Sequence, residues 1–162
     1  LLPAARLDAP FAAEEMRACL APAQGADDTT LMRALRELRK RVFLRVMARD
    51  LAGLAPLDEV IATVTTLADT AITAAVSHLE RSLAAELGAP FGSDSGSGQK
   101  LHVIGMGKLG GGELNVSSDI DLVFVYPEEG ETRGARRMSN HEYFTRLARR
   151  LIALLNEATA DG

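Results

Sequence analysis

Val60, Ile61, Val64, Leu67, Ala68, Ala71, Ile72, Ala75, Leu79, Leu83 and Leu87 recur at intervals of three and four, the period of one helix face. Pro56 stands at the mouth of this pattern, and Asp58 and Glu59 fall in its first turn, where the helix dipole favours negative charge. Gly88 and Pro90 end it. About 30 residues at ~1.5 Å each make a rod of ~45 Å, and a rod with such a stripe must pack against other helices. Its many Ala and Thr positions suit close packing. Upstream, Leu31, Leu35, Leu38, Val42 and Val46 mark a second helix, running to about Leu51 and stopped near Gly53 and Pro56. It follows a loop at Gly25-Ala26-Asp27-Asp28-Thr29-Thr30. This helix carries Arg33, Arg36, Arg39, Lys40, Arg41, Arg45 and Arg49 against Glu37 and Asp50. Such a face is either solvated, with arginine stems covering core, or a docking surface for acidic groups elsewhere in a larger protein or on a partner.

The pattern changes after Gly92-Ser93-Asp94-Ser95-Gly96-Ser97-Gly98, which reads as a flexible linker between halves. Leu101 to Ile104 and Ile120 to Tyr126 are short, apolar and β-branched, and they predict strands. A polar loop, Pro127 to Met138, leads to Ser139-Asn140-His141-Glu142, a capping box in which Glu142 reaches back to the helix start. The following helix would bury Phe144, Leu147, Leu151, Leu154 or Leu155, and Ala158. The expected domains are a helical lead-in over 1–89, a linker over 90–100, and the first part of a catalytic core over 101–162.

Composition narrows the function. A chain of 162 residues with 47% hydrophobic and 25% charged residues can bury a sizeable core and is not generally disordered. Its net charge of -4 argues against non-specific nucleic-acid binding, which wants a broad basic surface. Cys19 stands alone, and His78, His102 and His141 lie too far apart for zinc spacing, so a reducing, cytoplasmic compartment is expected. No uninterrupted apolar run reaches the ~18 residues of a membrane span, and no signal-peptide pattern opens the chain, so no membrane contact is expected. The chain opens at Leu1-Leu2-Pro3 and ends at Asp161-Gly162 directly after a helical pattern, as expected for a piece of a longer protein.

The chemistry lies in Leu101 to Tyr126, which offers two readings. Gly105-Met106-Gly107-Lys108-Leu109-Gly110 matches the dinucleotide fingerprint G-x-G-x-x-G. That fingerprint needs a crossover of at least ~10–12 mostly helical residues to a parallel strand. Here Gly111, Gly112, Asn115, Ser117 and Ser118 interrupt the short span before Asp119. The second reading starts from Asp119 and Asp121, which on a strand would share one face while Ile120 and Leu122 take the other. Such a pair is elsewhere a solvated strand end or a turn cap. Emerging from a glycine turn, it can instead share hard cations such as Mg²⁺ or Mn²⁺, which bridge phosphates and assist in-line displacement at phosphorus. The glycines Gly105, Gly107, Gly110 and Gly111 leave backbone amides free to approach phosphate oxygens. Lys108 adds a point charge, and Ser117 or Ser118 a hydroxyl.

The string GMGKLGG-x-ELN-x-SSDIDL, Gly105 to Leu122, closely resembles the bacterial bifunctional glutamine synthetase adenylyltransferase/adenylyl-removing enzymes, nucleotidyltransferases of the DNA polymerase β superfamily. Gly107-Lys108 and Asp119-Ile120-Asp121 match the superfamily's glycine-led turn and Asp-h-Asp, with Lys where Ser is more widespread. The resemblance extends to Leu38 through Gly53, to Leu67-Ala68-Asp69, to Tyr143 through Leu147, and to Leu154 through Gly162. Gly-Met-Gly-Lys, Glu113-Leu114-Asn115 and Asp-Ile-Asp resemble the N-terminal, adenylyl-removing half. The adenylylating half more often shows Tyr after the first Gly, Gly in place of Asn115, and Asp-Leu-Asp.

What the resemblance implies is a metal-dependent phosphorolysis: inorganic phosphate attacks the AMP-tyrosine linkage of adenylylated glutamine synthetase, releasing ADP. Asp119 and Asp121 would be catalytic and hold the metal, with Gly105, Gly107, Lys108, Gly110, Gly111 and Ser118 positioning nucleotide and phosphate. Partners would be adenylylated glutamine synthetase and, through the full-length enzyme, the PII regulatory protein. The family's third carboxylate sits on a later strand, in a segment that this chain does not reach. Glu113, Glu128 and Glu129 read as surface or loop charges. The expected fold is α+β, a long-helix module followed by a partial polymerase-β-like core with a short mixed sheet and flanking helices. The alternatives are adenylyl transfer from ATP and a non-catalytic docking module.

Overall fold

A computed structural model describes residues 7–134 and 137–159, with side chains of the last helix described to Asn156. The elements are α1 (Ala13–Leu20), α2 (Asp28–Leu51), α3 (Leu57–Leu87), β1 (Ala89–Gly92), β2 (His102–Gly105), α4 (Gly107–Gly110), β3 (Leu122–Val125), β4 (Gly130–Arg133) and α5 (Asn140–Thr159). Ala158, expected on the buried face of α5, lies outside the described side chains.

The two long helices form where the apolar period places them. Asp27 caps α2, its Oδ1 accepting the Thr30 amide at 2.8 Å, and that hydrogen bond holds its carboxyl below the ordinary range. Gly53, at φ 68, closes α2 in the left-handed conformation that glycine adopts freely. Gly88 ends α3 at φ 84, and a Cβ there would meet Gly134 at 2.6 Å. Only glycine lets the outgoing chain leave α3 beside β4.

Leu31, Leu35, Leu38 and Val42 of α2 join Leu79 and Leu83 of α3 and Tyr143, Leu147 and Leu151 of α5 in one buried cluster, which α1 closes with Met16 and Leu20. Tyr143 is the largest fully buried side chain; burial, with the nearby Glu80 charge, pushes its phenol up to about 12, so it stays a neutral donor. An 18-residue window of α3 has mean hydropathy 1.5, enough by length and composition to cross a bilayer, which corrects the expectation drawn from apolar runs alone. Its packing against α2 and α5, and its Asp69, Glu80 and Arg81, fit a core helix.

Ion pairs complete the helical part. Arg45 is buried, donates to both carboxylate oxygens of Glu15 at 2.8 and 2.9 Å, and lies 4.1 Å over the Phe11 ring. Arg49 is buried too, donating to Glu59 at 2.7 and 2.9 Å and to the Leu54 and Leu7 carbonyls. The acidic groups that these two arginines dock upon therefore belong to this chain. Asp28 joins three helices: it accepts from Arg150 of α5 at 2.9 Å and pairs with His78 of α3 at 2.7 Å.

The strands form two separate antiparallel ladders, β1 with β4 and β2 with β3, rather than one mixed sheet. Each strand is four residues long; β2 begins and ends one residue later than the sequence suggests, and β3 starts two residues later and stops one earlier. The Gly/Ser segment expected as a flexible linker is strand β1 and an ordered turn. Glu128 accepts the Ser95 amide at 2.9 Å and also that of Asp94, and Ser93 donates to the Glu129 carbonyl at 2.9 Å. Within the expected polar loop, Gly130–Arg133 becomes β4 because Ala89–Gly92 supplies its ladder partners. At the start of α5, Ser139 Oγ accepts the Glu142 amide at 3.2 Å as the capping box requires, while the Glu142 carboxylate accepts from Arg146 at 2.7 Å.

Removing one member of a buried pair leaves an uncompensated charge. Glu15→Ala is expected to cost about 3 kcal/mol in urea unfolding, and the double variant Glu15→Ala, Arg45→Met, which removes both charges, clearly less. Burial alone would raise the Asp28 carboxyl, but hydrogen bonds from Arg150 and His78 and their charges outweigh it and hold it below its ordinary 3.8. A depressed carboxyl contributes stability that is complete above the unfolded value and lost as pH falls through the folded one. The stability difference between the wild type and Asp28→Asn should thus shrink as pH falls below about pH 4.

Candidate functional site

The site begins where β2 ends. Gly105 pairs with Leu122, and the Met106 amide donates to the Asp121 carbonyl at 2.9 Å, so the glycine turn and the aspartate segment leave the ladder side by side. The turn α4 is a single helical turn. Its fold depends on missing side chains: a Cβ on Gly110 would sit 2.5 Å from the Gly105 carbonyl oxygen, and one on Gly105 would meet Leu109 at 2.8 Å. Leu109 is buried with Leu114 against Val64, Ala68 and Ile72 of α3, which pins the glycine turn and the segment just after it to one helix. Gly107 has φ 52, and the Asp121 carboxylate lies 3.9 Å from where its Cβ would be. The amides of Gly110 and Gly111 donate to the Met106 and Gly107 carbonyls at 3.1 and 3.0 Å. Lys108 is exposed. A four-residue turn between antiparallel strands excludes the dinucleotide reading, which needs a helical crossover to a parallel strand.

Asn115 organises the rest of the loop. Its Oδ1 accepts from Ser118 Oγ at 2.6 Å, from the Ser117 amide at 3.1 Å and from Ser117 Oγ at 3.2 Å, while the Leu114 amide reaches Thr65 Oγ1 at 3.3 Å. Both serine hydroxyls are thus engaged with Asn115. Its role as an Asx-turn centre was legible only as a local tendency of Asn before Ser.

Asp119 and Asp121 do not lie on β3. The strand starts at Leu122, because β2 ends at Gly105 and offers residues 119–121 no ladder partner. Asp119, Ile120 and Asp121 are all exposed, Ile120 at 43%, instead of alternating between faces. Both carboxylates border a groove of about 670 Å³, which Arg39 and Phe43 of α2, Ile72 of α3 and Asn115 also line. A larger hollow of about 860 Å³ between α1, α3 and β1 contains neither aspartate. Arg39 and Phe43, four residues apart on α2, reach the groove only through tertiary packing, and sequence reasoning gave them no role there.

Among the described residues neither aspartate has a hydrogen-bonding or ion-paired partner for its carboxylate. Two exposed, unpartnered carboxylates supply the hard oxygen donors that Mg²⁺ or Mn²⁺ takes, so the residues fit such an ion. No third His, Cys, Asp or Glu joins them among the described residues.

The sequence model of the family described as glutamate-ammonia ligase adenylyltransferase matches residues 1–162. The bifunctional glutamine synthetase adenylyltransferase/adenylyl-removing enzyme of Chromobacterium violaceum is 58% identical over 154 residues, 94% of this chain and 17% of that protein. Its counterpart from Nitrosomonas eutropha is 53% identical over 97% of the chain and 17% of its own length. That of Bordetella pertussis is 53% identical over 79% and 14%. The chain thus spans about a sixth of the length of these relatives.

The close approach at Gly110 makes a sharp comparison possible. Gly110→Ala is expected to lose about 1–3 kcal/mol through overpacking against Gly105. Gly111→Ala, whose Cβ would meet Gly107 O at an ordinary 3.5 Å, should stay within about 0.5 kcal/mol of the wild type. Thermal unfolding of both variants measures the contrast.

Proposed function

The chain belongs to the glutamate-ammonia ligase adenylyltransferase family, and on that footing we propose that it carries part of the nucleotidyltransferase site which removes AMP from adenylylated glutamine synthetase. One observation carries the reading: the glycine turn at Gly107 stands directly against the Asp121 carboxylate, with Asp119 beside it over an open groove. That arrangement supports the reading because the turn at Gly107 and both carboxylates are exposed side by side, open to an approaching phosphate ester.

In this reading an oxygen of inorganic phosphate attacks the phosphorus of the AMP-tyrosine linkage. The bond from phosphorus to the tyrosyl oxygen breaks, the phosphate leaves as the terminal group of ADP, and the tyrosyl oxygen takes up a proton. Asp119 and Asp121 would hold Mg²⁺ or Mn²⁺, and that ion, when bound, would polarise the phosphodiester and offset charge on the leaving oxygen. Gly107, without a side chain beside Asp121, keeps the turn low enough for phosphate to approach, Gly105 and Gly110 hold its shape by their close contacts, the Gly111 amide closes it on the Gly107 carbonyl, and Lys108, exposed on the turn, lends positive charge. Ser118, committed to Asn115, acts by fixing the loop rather than by touching phosphate. The reading brings with it adenylylated glutamine synthetase as partner, PII acting through the full-length enzyme, and a cytoplasmic location. Adenylyl transfer from ATP would use the same donors. The lack of a third carboxylate among the described residues favours a second reading, in which this part only folds and docks.

Calorimetric titration with ADP, with and without Mg²⁺, separates them. Metal-dependent binding is expected for the wild type and is expected to vanish in Asp119→Asn and in Asp121→Asn. A folded wild-type chain that binds no ADP, or variants that bind as well as it does, would sink the catalytic reading.

A further inference from the structure

The groove that carries the two aspartates contains one cationic side chain among its described lining residues, and it is not Lys108, which lies outside the lining, but Arg39. Its neighbours on α2 show what the fold does with arginines that it needs internally: Arg45 and Arg49 are each closed by a carboxylate, Glu15 and Glu59. Arg39 has no carboxylate partner among the described residues. Its guanidinium lies instead over the Phe43 ring, 4.8 Å from the centroid. Such stacking fixes the plane of the guanidinium and leaves the N–H donors along its edge unused. The surrounding wall is apolar, with Leu67, Ile72, Phe124 and Leu155, so a charge at this place is screened less than on an open surface.

A groove bordered by two carboxylates repels anions unless something in it attracts them. We propose that Arg39 binds a phosphate oxyanion in this groove, carried on a nucleotide or present as free inorganic phosphate. The inference rests on the nucleotidyltransferase reading of the groove and adds an anion contact from α2, far upstream of the glycine turn. The planar fork of Arg39 suits two oxygens of one phosphate, and Phe43 holds that fork ready before the ligand arrives.

The test is calorimetric titration of ADP and, separately, of inorganic phosphate into the chain with Mg²⁺ present, for the wild type, Arg39→Gln and Arg39→Lys, with thermal unfolding of each. Arg39→Gln should weaken binding of at least one titrant by about tenfold or more, the loss expected for a hydrogen bond to a charged group. Arg39→Lys should recover part of it, and the unfolding temperature should not move. Weakening confined to ADP assigns the contact to a nucleotide phosphate, and weakening of both assigns it to a site that either can fill. Equal binding by Arg39→Gln overturns the proposal, whether or not that variant is less stable, since Arg39 then only covers Phe43. The wild type binding neither titrant overturns it as well. A double Asp119→Asn, Asp121→Asn variant without metal keeps the two ideas apart. Residual ADP binding there that Arg39→Gln abolishes supports the anion contact even if the metal site fails. ADP binding that needs both aspartates and ignores Arg39 leaves the metal site standing and removes the contact.

Discussion

The apolar side chains of α3 divide between two clusters, and the other elements are placed by the cluster they cover. Leu67, Ala75, Leu79 and Leu83 face the interior shared with α1, α2 and α5. Val64, Ala68 and Ile72 turn toward Leu109 inside the glycine turn and Leu114 just after it. Burial of these aliphatic groups is worth roughly 1.5–3 kcal/mol for each side chain taken fully out of water, against about 0–1 kcal/mol for an exposed ion pair. The candidate site therefore hangs from the same helix that organises the core. Its loop needs few stabilising contacts of its own beyond Asn115 and the glycine approach.

Charge is used differently along α2. Where the helix meets α1 and the start of α3, arginines are sunk and paired, and Arg45 and Arg49 lock the register of those neighbours through two-point contacts. Where the same helix passes the groove, Arg39 is held by a ring rather than by an acid. A carboxylate at that place would have neutralised it, so the ring orients the cation and leaves its charge available.

The helices were legible because a 3.6-residue period survives any tertiary context, and Leu31 through Val46 and Val60 through Leu87 state it without ambiguity. The glycine turn and the aspartate pair were legible as a motif, and the antiparallel pairing of β2 and β3 agrees with the rejection of a crossover helix. The place of Asp119 and Asp121 relative to β3 was not, since a strand ends where its partner turns away, and Gly105 decides that from the other side of the ladder. The segment from Gly92 to Gly98 misled for a related reason. Its composition speaks for flexibility, but Glu128, distant in sequence, collects the free amides and sets the turn. His78, Asp28 and Arg150 meet only through the packing of three helices, and no spacing announces them.

Because Leu109 of the glycine turn and Leu114 just after it rest on one short stretch of α3, the position of the turn depends on that of the helix. A tilt of about 5° pivoting at Leu83 would carry Ala68, ~22 Å away along the axis, through about 2 Å, and the loop would travel with it as one piece. Chemistry at phosphorus is sensitive to misplacements of about 1 Å. A shift of that stretch of α3 would thus reach the groove through its wall and through Leu114 together.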